Sequence, residues 1–175
     1  METTQADTLL ATLTVRHLVQ SDLPALEWEG EYSHFRQVYQ ISYERMLEGK
    51  TTMWVAETPS TGVLGQVFIQ MDSERLELAN GIDRAYLYSF RVKAPYRNLG
   101  IGSRIMDVVE TDMLQKGFYW ITLNVAKDNP RAQSLYRQRG YIIVAEEPGN
   151  WTYKDHLGIL HHVHEPAWRM ENRLK

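Results

Sequence analysis

Arg97-Asn98-Leu99-Gly100-Ile101-Gly102 stands between a strand-like and a helix-like segment of this 175-residue chain. Upstream, Ala85-Tyr86-Leu87-Tyr88-Ser89-Phe90-Arg91-Val92 is rich in aromatic and branched residues. Downstream, Ile101, Ile105, Val108, Val109 and Met113 recur at helical spacing. The glycines therefore fall at a strand-to-helix turn. Without a Cβ at Gly100 or Gly102, a bulky anion can approach the main chain closely. The unpaired N–H groups of a first helical turn and the helix dipole favour negative charge there, and Arg97 adds a forked cation beside this cradle. The turn predicts a pyrophosphate-bearing nucleotide cofactor. Two common nucleotide motifs do not fit: the dinucleotide fingerprint needs a third glycine where Ile105 stands, and the Walker loop needs Gly-Lys-Ser/Thr.

A second motif follows: Asn124-Val125-Ala126-Lys127-Asp128-Asn129-Pro130-Arg131-Ala132-Gln133-Ser134-Leu135-Tyr136, then Arg139-Gly140-Tyr141. Asn129 is a natural N-cap, Pro130 suits the first helical position, and Gly140 closes the helix carrying Tyr136. Together the two motifs resemble the GNAT superfamily of acetyl-CoA-dependent N-acetyltransferases. Its signature is Q/R-x-x-G-x-G/A after the fourth strand, then Asn-x-x-Ala-x-x-x-Tyr, then a Gly-Phe/Tyr opening the sixth strand. The resemblance covers roughly residues 13–147 and extends to 165–174. It implies an α/β fold: a single-domain, mixed, mostly antiparallel sheet of about seven strands flanked by about four helices, with a splay between strands four and five.

The resemblance also implies roles for residues. Main-chain groups of Phe90 and Val92 lie beside the pantetheine arm of acetyl-CoA. The phosphates fall on Arg97, Asn98, Gly100, Gly102 and Ser103, leaving Leu99 and Ile101 free to vary. Asn129 hydrogen-bonds the arm, and Tyr136 places its hydroxyl at the thioester sulfur as the catalytic residue. A phenol with a reference pKa of about 10 is a weaker acid than a thiol at about 8.5, a gap of about 2 kcal/mol, so hydrogen-bond stabilisation of the leaving sulfur is the expected role. No covalent acyl-enzyme is expected, because cysteine is absent and no Ser/His arrangement stands out.

An alkylamine acceptor must lose a proton before it attacks. Histone-acetylating members of the superfamily use a Glu about eleven residues before the phosphate motif, where this chain has Tyr86. The connection that lines the acceptor side in the family contains Glu27, Trp28, Glu29, Glu31 and Tyr32, and a long segment at 148–164 adds Trp151 and Tyr153. These residues are expected to bind substrate, and the glutamates favour a cationic amine with an apolar body. The acceptor is open between a small-molecule amine and a protein or peptide amine. Another acyl-CoA as donor, or a non-catalytic acyl-CoA-binding sensor domain, is the alternative reading.

A formal net charge of −3 provides no basic field for nucleic acid or anionic lipid. The absence of cysteine excludes disulfides and thiolate metal sites, and His162 and His164, two apart with no carboxylate set nearby, do not call for a metal. Residues 1–12 read as a flexible polar tail rather than a leader, no apolar run approaches about 18 residues, and a cytoplasmic protein follows. A homodimer is compatible with this reading. The domain is expected over 13–175, with helices after Ser21 or Asp22 and over 33–48, a hairpin loop at Pro59-Ser60-Thr61-Gly62, and a long loop at about 148–164.

Overall fold

In a computed structural model, which describes residues 4–175, a seven-stranded sheet runs in the order β1-β2-β3-β4-β5-β9-β6. The strands are β1 (Thr14–His17), β2 (Thr51–Thr58), β3 (Gly62–Gln70), β4 (Arg84–Val92), β5 (Trp120–Ala126), β6 (Ile142–Glu147), β7 (Asn150–Lys154), β8 (Leu160–His164) and β9 (Ala167–Arg173). Within the sheet β4 and β5 are parallel and every other neighbouring pair is antiparallel. The α-helices are α1 (Gln5–Thr12), α2 (Arg36–Leu47), α3 (Ile101–Gln115) and α4 (Pro130–Gln138). This is the mixed, mostly antiparallel architecture expected, with helices on both faces.

Alternation along the central strands divides the core into two layers. Trp54, Ala56, Val67, Ile69, Ala85 and Leu87 pack toward α3 and α4, while Met53, Val55, Phe68 and Tyr88 pack toward α2. α3 seals the first layer with Ile101, Ile105, Val109 and Met113, the i, i+4 stripe read from its sequence.

Three local readings are corrected. Gln5–Thr12 is a helix, not a loose tail; the part of that tail at 1–3 lies outside the described residues. Thr4 and Asp7 form a reciprocal capping box, and buried Leu9 with Leu10 anchors the helix to the core. Where a helix after Ser21 or Asp22 was expected, Gln20–Gly30 forms 3-10 turns broken at Trp28 and Glu29, both at positive φ. The segment expected as a long loop is the β7–β8 hairpin. Among the described residues no helix is long and apolar enough to cross a membrane.

Candidate active site

β4 and β5 are paired from Arg84↔Trp120 to Leu87↔Leu123 and then separate. Beyond that point each strand follows its other neighbour, β4 staying with β3 through Gly65↔Val92 and β5 with β9 through Ala126↔Ala167. The result is a cleft of about 830 Å³ that runs through the sheet, a volume suited to a large cofactor.

A bulge in β4 decides what faces this cleft. Gln66 pairs with Arg91 but Phe68 pairs with Tyr88, so β4 holds one extra residue there, with Ser89 at φ 51. The bulge reverses the alternation. Phe90 and Val92 join the α3 layer with Ala85 and Leu87, and Arg91 turns to the α2 side, where it meets Tyr39. Ser89 carries no glycine-like signal, so nothing local in the sequence marks this switch.

The expected cofactor residues come together. Phe90, Val92, Arg97, Asn98, Gly100, Gly102, Ser103 and Asn129 all line the cleft, as does Tyr136. Asn98 (φ 62) and Gly100 (φ 86) are left-handed and turn the chain sharply into α3. The Arg104 N–H bonds back to the Gly100 carbonyl at 3.1 Å, so the amides of Ile101, Gly102 and Ser103 precede the first helical bond and have no intrahelical acceptor. A Cβ at Gly102 would sit 3.4 Å from Leu135 Cδ2 and 3.5 Å from Phe90 Cζ, filling the gap between α4 and β4. Arg97 Nε donates to the Val92 carbonyl at 2.7 Å, which fixes its guanidinium at the cleft mouth. Ile101, expected to be free to vary, is 1% exposed and belongs to the core.

Asn129 caps α4, its Oδ1 accepting from the Ala132 N–H at 3.2 Å. Gln133, unremarked in the sequence, ties α4 to the end of β5 by donating to the carbonyls of Ala126 (3.1 Å) and Lys127 (3.2 Å). Tyr136 is 6% exposed, its ring beside Phe90 and Tyr141. Among the described residues its hydroxyl has no hydrogen-bond partner. Burial, reinforced by the nearby Tyr86 hydroxyl, holds it well above the usual phenol pKa.

Tyr86 occupies the position of the missing carboxylate. Burial, with the Glu147 charge adding, pushes its pKa up to about 12, while the Arg75 charge acts the other way. Asn124 lines the cleft just past the last parallel pair, and its buried side-chain oxygen has no partner. Glu147 is committed to Arg75 (2.7 Å) and Arg169 (3.0 Å). Glu165, which no motif marks, lines the cleft at its exposed rim.

The expected acceptor residues divide. Tyr32 lines the cleft. Trp151 and Tyr153 lie on the hairpin, which rests on the turn Ser33–Phe35 with Phe35 5.0 Å from Tyr153 and 6.1 Å from Trp151. Trp28 is a core residue, 5% exposed and edge-on to Tyr32. The glutamates are not brought to the cleft. Glu27 accepts from Ser33 (2.9 Å) and Arg36 (2.7 Å), and Arg36 holds its carboxyl below the usual range. Glu29, with its side chain 84% exposed, pairs loosely with Lys93 at 3.4 Å, and Glu31 is exposed. Among the described residues no group of three or more His, Asp or Glu side chains is placed to hold a metal ion.

The acetyltransferase (GNAT) family model matches residues 15–141. The chain is 24% identical to the uncharacterised N-acetyltransferase YycN of Bacillus subtilis over 133 residues, 74% of this chain and 82% of that protein. It is 30% identical over 102 residues to ard1, the catalytic subunit of the N-terminal acetyltransferase A complex of Schizosaccharomyces pombe, covering 57% of this chain and 56% of that protein. The structure of Ard1 from Thermoplasma volcanium superposes with a TM-score of 0.71 at 17% identity, covering 94% of this chain and 99% of that one. Spermidine N-acetyltransferase from Vibrio cholerae, solved with CoA and spermine, gives 0.67 at 17% identity, covering 94% and 96%. These two structures share the fold. With the family model spanning most of the chain, from β1 to the start of β6, this protein belongs to the acetyltransferase (GNAT) family and is an acyltransferase.

Proposed function

We propose that this protein transfers the acetyl group of acetyl-CoA to a primary amine by direct attack within a ternary complex. The observation that carries this reading is the cleft between β4 and β5, with free amides at one end and an unpartnered tyrosine hydroxyl within it. The amides of Ile101, Gly102 and Ser103 hold the pyrophosphate, aided by the α3 dipole. The open strand edges beyond Leu87 and Leu123 accept the amide-bearing arm as an added strand would. Acetyl-CoA supplies a thioester whose carbonyl carbon takes the amine nitrogen as its bond to sulfur breaks.

Tyr136 donates a hydrogen bond to the departing sulfur. Its raised pKa makes it a poor outright acid, so its contribution is electrostatic. Only about one alkylamine in 2500 is neutral at pH 7, a penalty of about 4.6 kcal/mol. Asn124, whose side-chain oxygen is free at the cleft wall, orients the amine, and its proton leaves through cleft water to solvent. We place it in the cytoplasm, a setting with which the absence of cysteine is compatible.

The test is thiol release. With acetyl-CoA and a panel of primary amines, free CoA should appear only when an amine is present and in equal amount to the acetylated product. Acetyl-CoA binding without amine-dependent release would make the chain a binding domain. A longer acyl-CoA giving the larger thermal shift and rate would reassign the donor.

A further inference from the structure

The β4 bulge that places Phe90 in the α3 layer also aims Arg91 at the other mouth of the cleft. There the guanidinium carbon lies 4.6 Å from the Tyr32 ring centroid and 5.2 Å from that of Phe35. Nη1 donates to the Tyr39 hydroxyl at 3.1 Å. A ring on each contact and a hydrogen bond from behind hold the planar group in one orientation. Among the described residues no carboxylate lies within ion-pair distance of it. An arginine has five N–H donors, and one of these is used.

Among the described residues none of Glu27, Glu29, Glu31 or the rim residue Glu165 pairs with it. Glu27 is held by Arg36 and Ser33, and Glu29 is turned out to solvent beside Lys93. His34 packs on Phe35 and contributes no negative charge. The mouth opposite the phosphate cradle is therefore an aromatic wall carrying a held cation with no ion-pair partner. A rigid fork of this kind matches a carboxylate in two-point contact and repels a polycation.

We infer that the acceptor is a primary amine bearing a carboxylate close to its amino group, with that carboxylate docked on Arg91 and its apolar part against Tyr32 and Phe35. This rests on the acetyl-transfer reading and reverses the charge preference that Glu27, Glu29 and Glu31 lead one to expect from sequence. Two sources supply such an acceptor, a free amino acid and a peptide whose first residue is acidic.

The experiment measures amine-dependent thiol release with acetyl-CoA for matched acceptors. One arm compares peptides beginning with Glu and with Gln. The other compares leucine with leucinamide, with rates expressed per neutral amine, and spermidine serves as the cationic reference. The parent should favour the carboxylate member of one arm by about ten- to hundredfold in kcat/KM, the size of a charge-assisted contact, and that arm identifies the source. Arg91→Gln should bring the ratio near one, Arg91→Lys should keep part of it, and Arg91→Glu should invert it. The acetyl-CoA thermal shift reports that each variant is folded. Arg91→Lys, which keeps the charge and most of the stem, carries the comparison should Arg91→Gln lose the fold. Ratios near one in both arms, a ratio unchanged in Arg91→Gln, or spermidine as the better substrate would overturn the inference while leaving acetyl transfer intact. Acetyl-CoA binding with no amine drawing thiol release would defeat the transferase reading and this inference with it.

Discussion

Replacing Tyr136 with phenylalanine separates the chemical role of that residue from its packing role. The ring, 6% exposed, fills space beside Phe90 and Tyr141, and phenylalanine keeps that contact. The hydroxyl has no partner among the described residues, so its removal leaves no orphaned group and folding stability should change by less than about 1 kcal/mol. For a domain of this size that is a shift of no more than about 4 °C in Tm. In the reaction the same hydroxyl meets a sulfur gaining negative charge, and a hydrogen bond to a charged group is worth about 1.5–3 kcal/mol. The expected loss is therefore about 10- to 150-fold in the chemical step, with acetyl-CoA affinity preserved. Single-turnover thiol release at saturating acetyl-CoA isolates that step. The pH profile adds a second check. Burial raises the Tyr136 pKa above the reference value of about 10, so the phenol stays protonated wherever the enzyme is folded and active. The rate should rise as the amine deprotonates and show no alkaline limb from this residue below about pH 10. A Tyr136→Phe protein with the parental single-turnover rate would reduce Tyr136 to a core aromatic.

What the sequence made legible was local. The turn into α3 depends on two residues with one between them, Asn98 and Gly100, whose left-handed backbone is the reason those types stand there. The α4 start depends on Asn129 and Pro130 within one turn, and both motifs line the same cleft because β4 and β5 are parallel neighbours. The misread parts depend on partners far along the chain. β7 and β8 look like a loop because they pair only with each other, and what holds β7 down is Phe35, more than a hundred residues away. The acidic stretch reads as a cation site until Arg36 folds back on Glu27, a spacing of nine that no helical or strand period reveals. The β4 bulge is the most consequential omission, since an ordinary Ser89 at positive φ exchanges the two faces of the strand and so decides that Arg91 reaches the acceptor mouth. The Thr4-x-x-Asp7 box was visible as a signal, and the polar composition around it concealed the helix.

Four further outcomes are expected. Alkaline titration should destabilise the fold from about pH 10 upward: burial raises the pKa of Tyr86 to about 12 and lifts Tyr141 and Tyr39 as well, so the unfolded chain releases these protons first. A denaturation midpoint constant to pH 11 would contradict this. At the cradle, Gly102→Glu should weaken acetyl-CoA on the order of a hundredfold by calorimetry, since a like charge about 4 Å away costs up to about 4 kcal/mol in a partly screened site. Gly100→Ala should instead cost about 1–2 kcal/mol of stability, because its φ of 86 is unfavourable for a side chain even though the nearest atom, Leu10 Cδ1, leaves room at 3.6 Å. Gly149 tests whether the hairpin shapes the acceptor side. A Cβ there would fall 1.7 Å from the Glu165 carbonyl oxygen, at a φ of 69, so Gly149→Ala cannot be absorbed without opening the hairpin base. Opening it breaks the Glu165 N–H bond to the Gly149 carbonyl and loosens Trp151 and Tyr153 from Phe35. The variant should gain protease cleavage within 150–164 and show a raised KM for its amine, while acetyl-CoA still raises its Tm through the distant α3 cradle. Unchanged cleavage together with the parental KM would mean that the hairpin neither depends on Gly149 nor forms part of the acceptor wall.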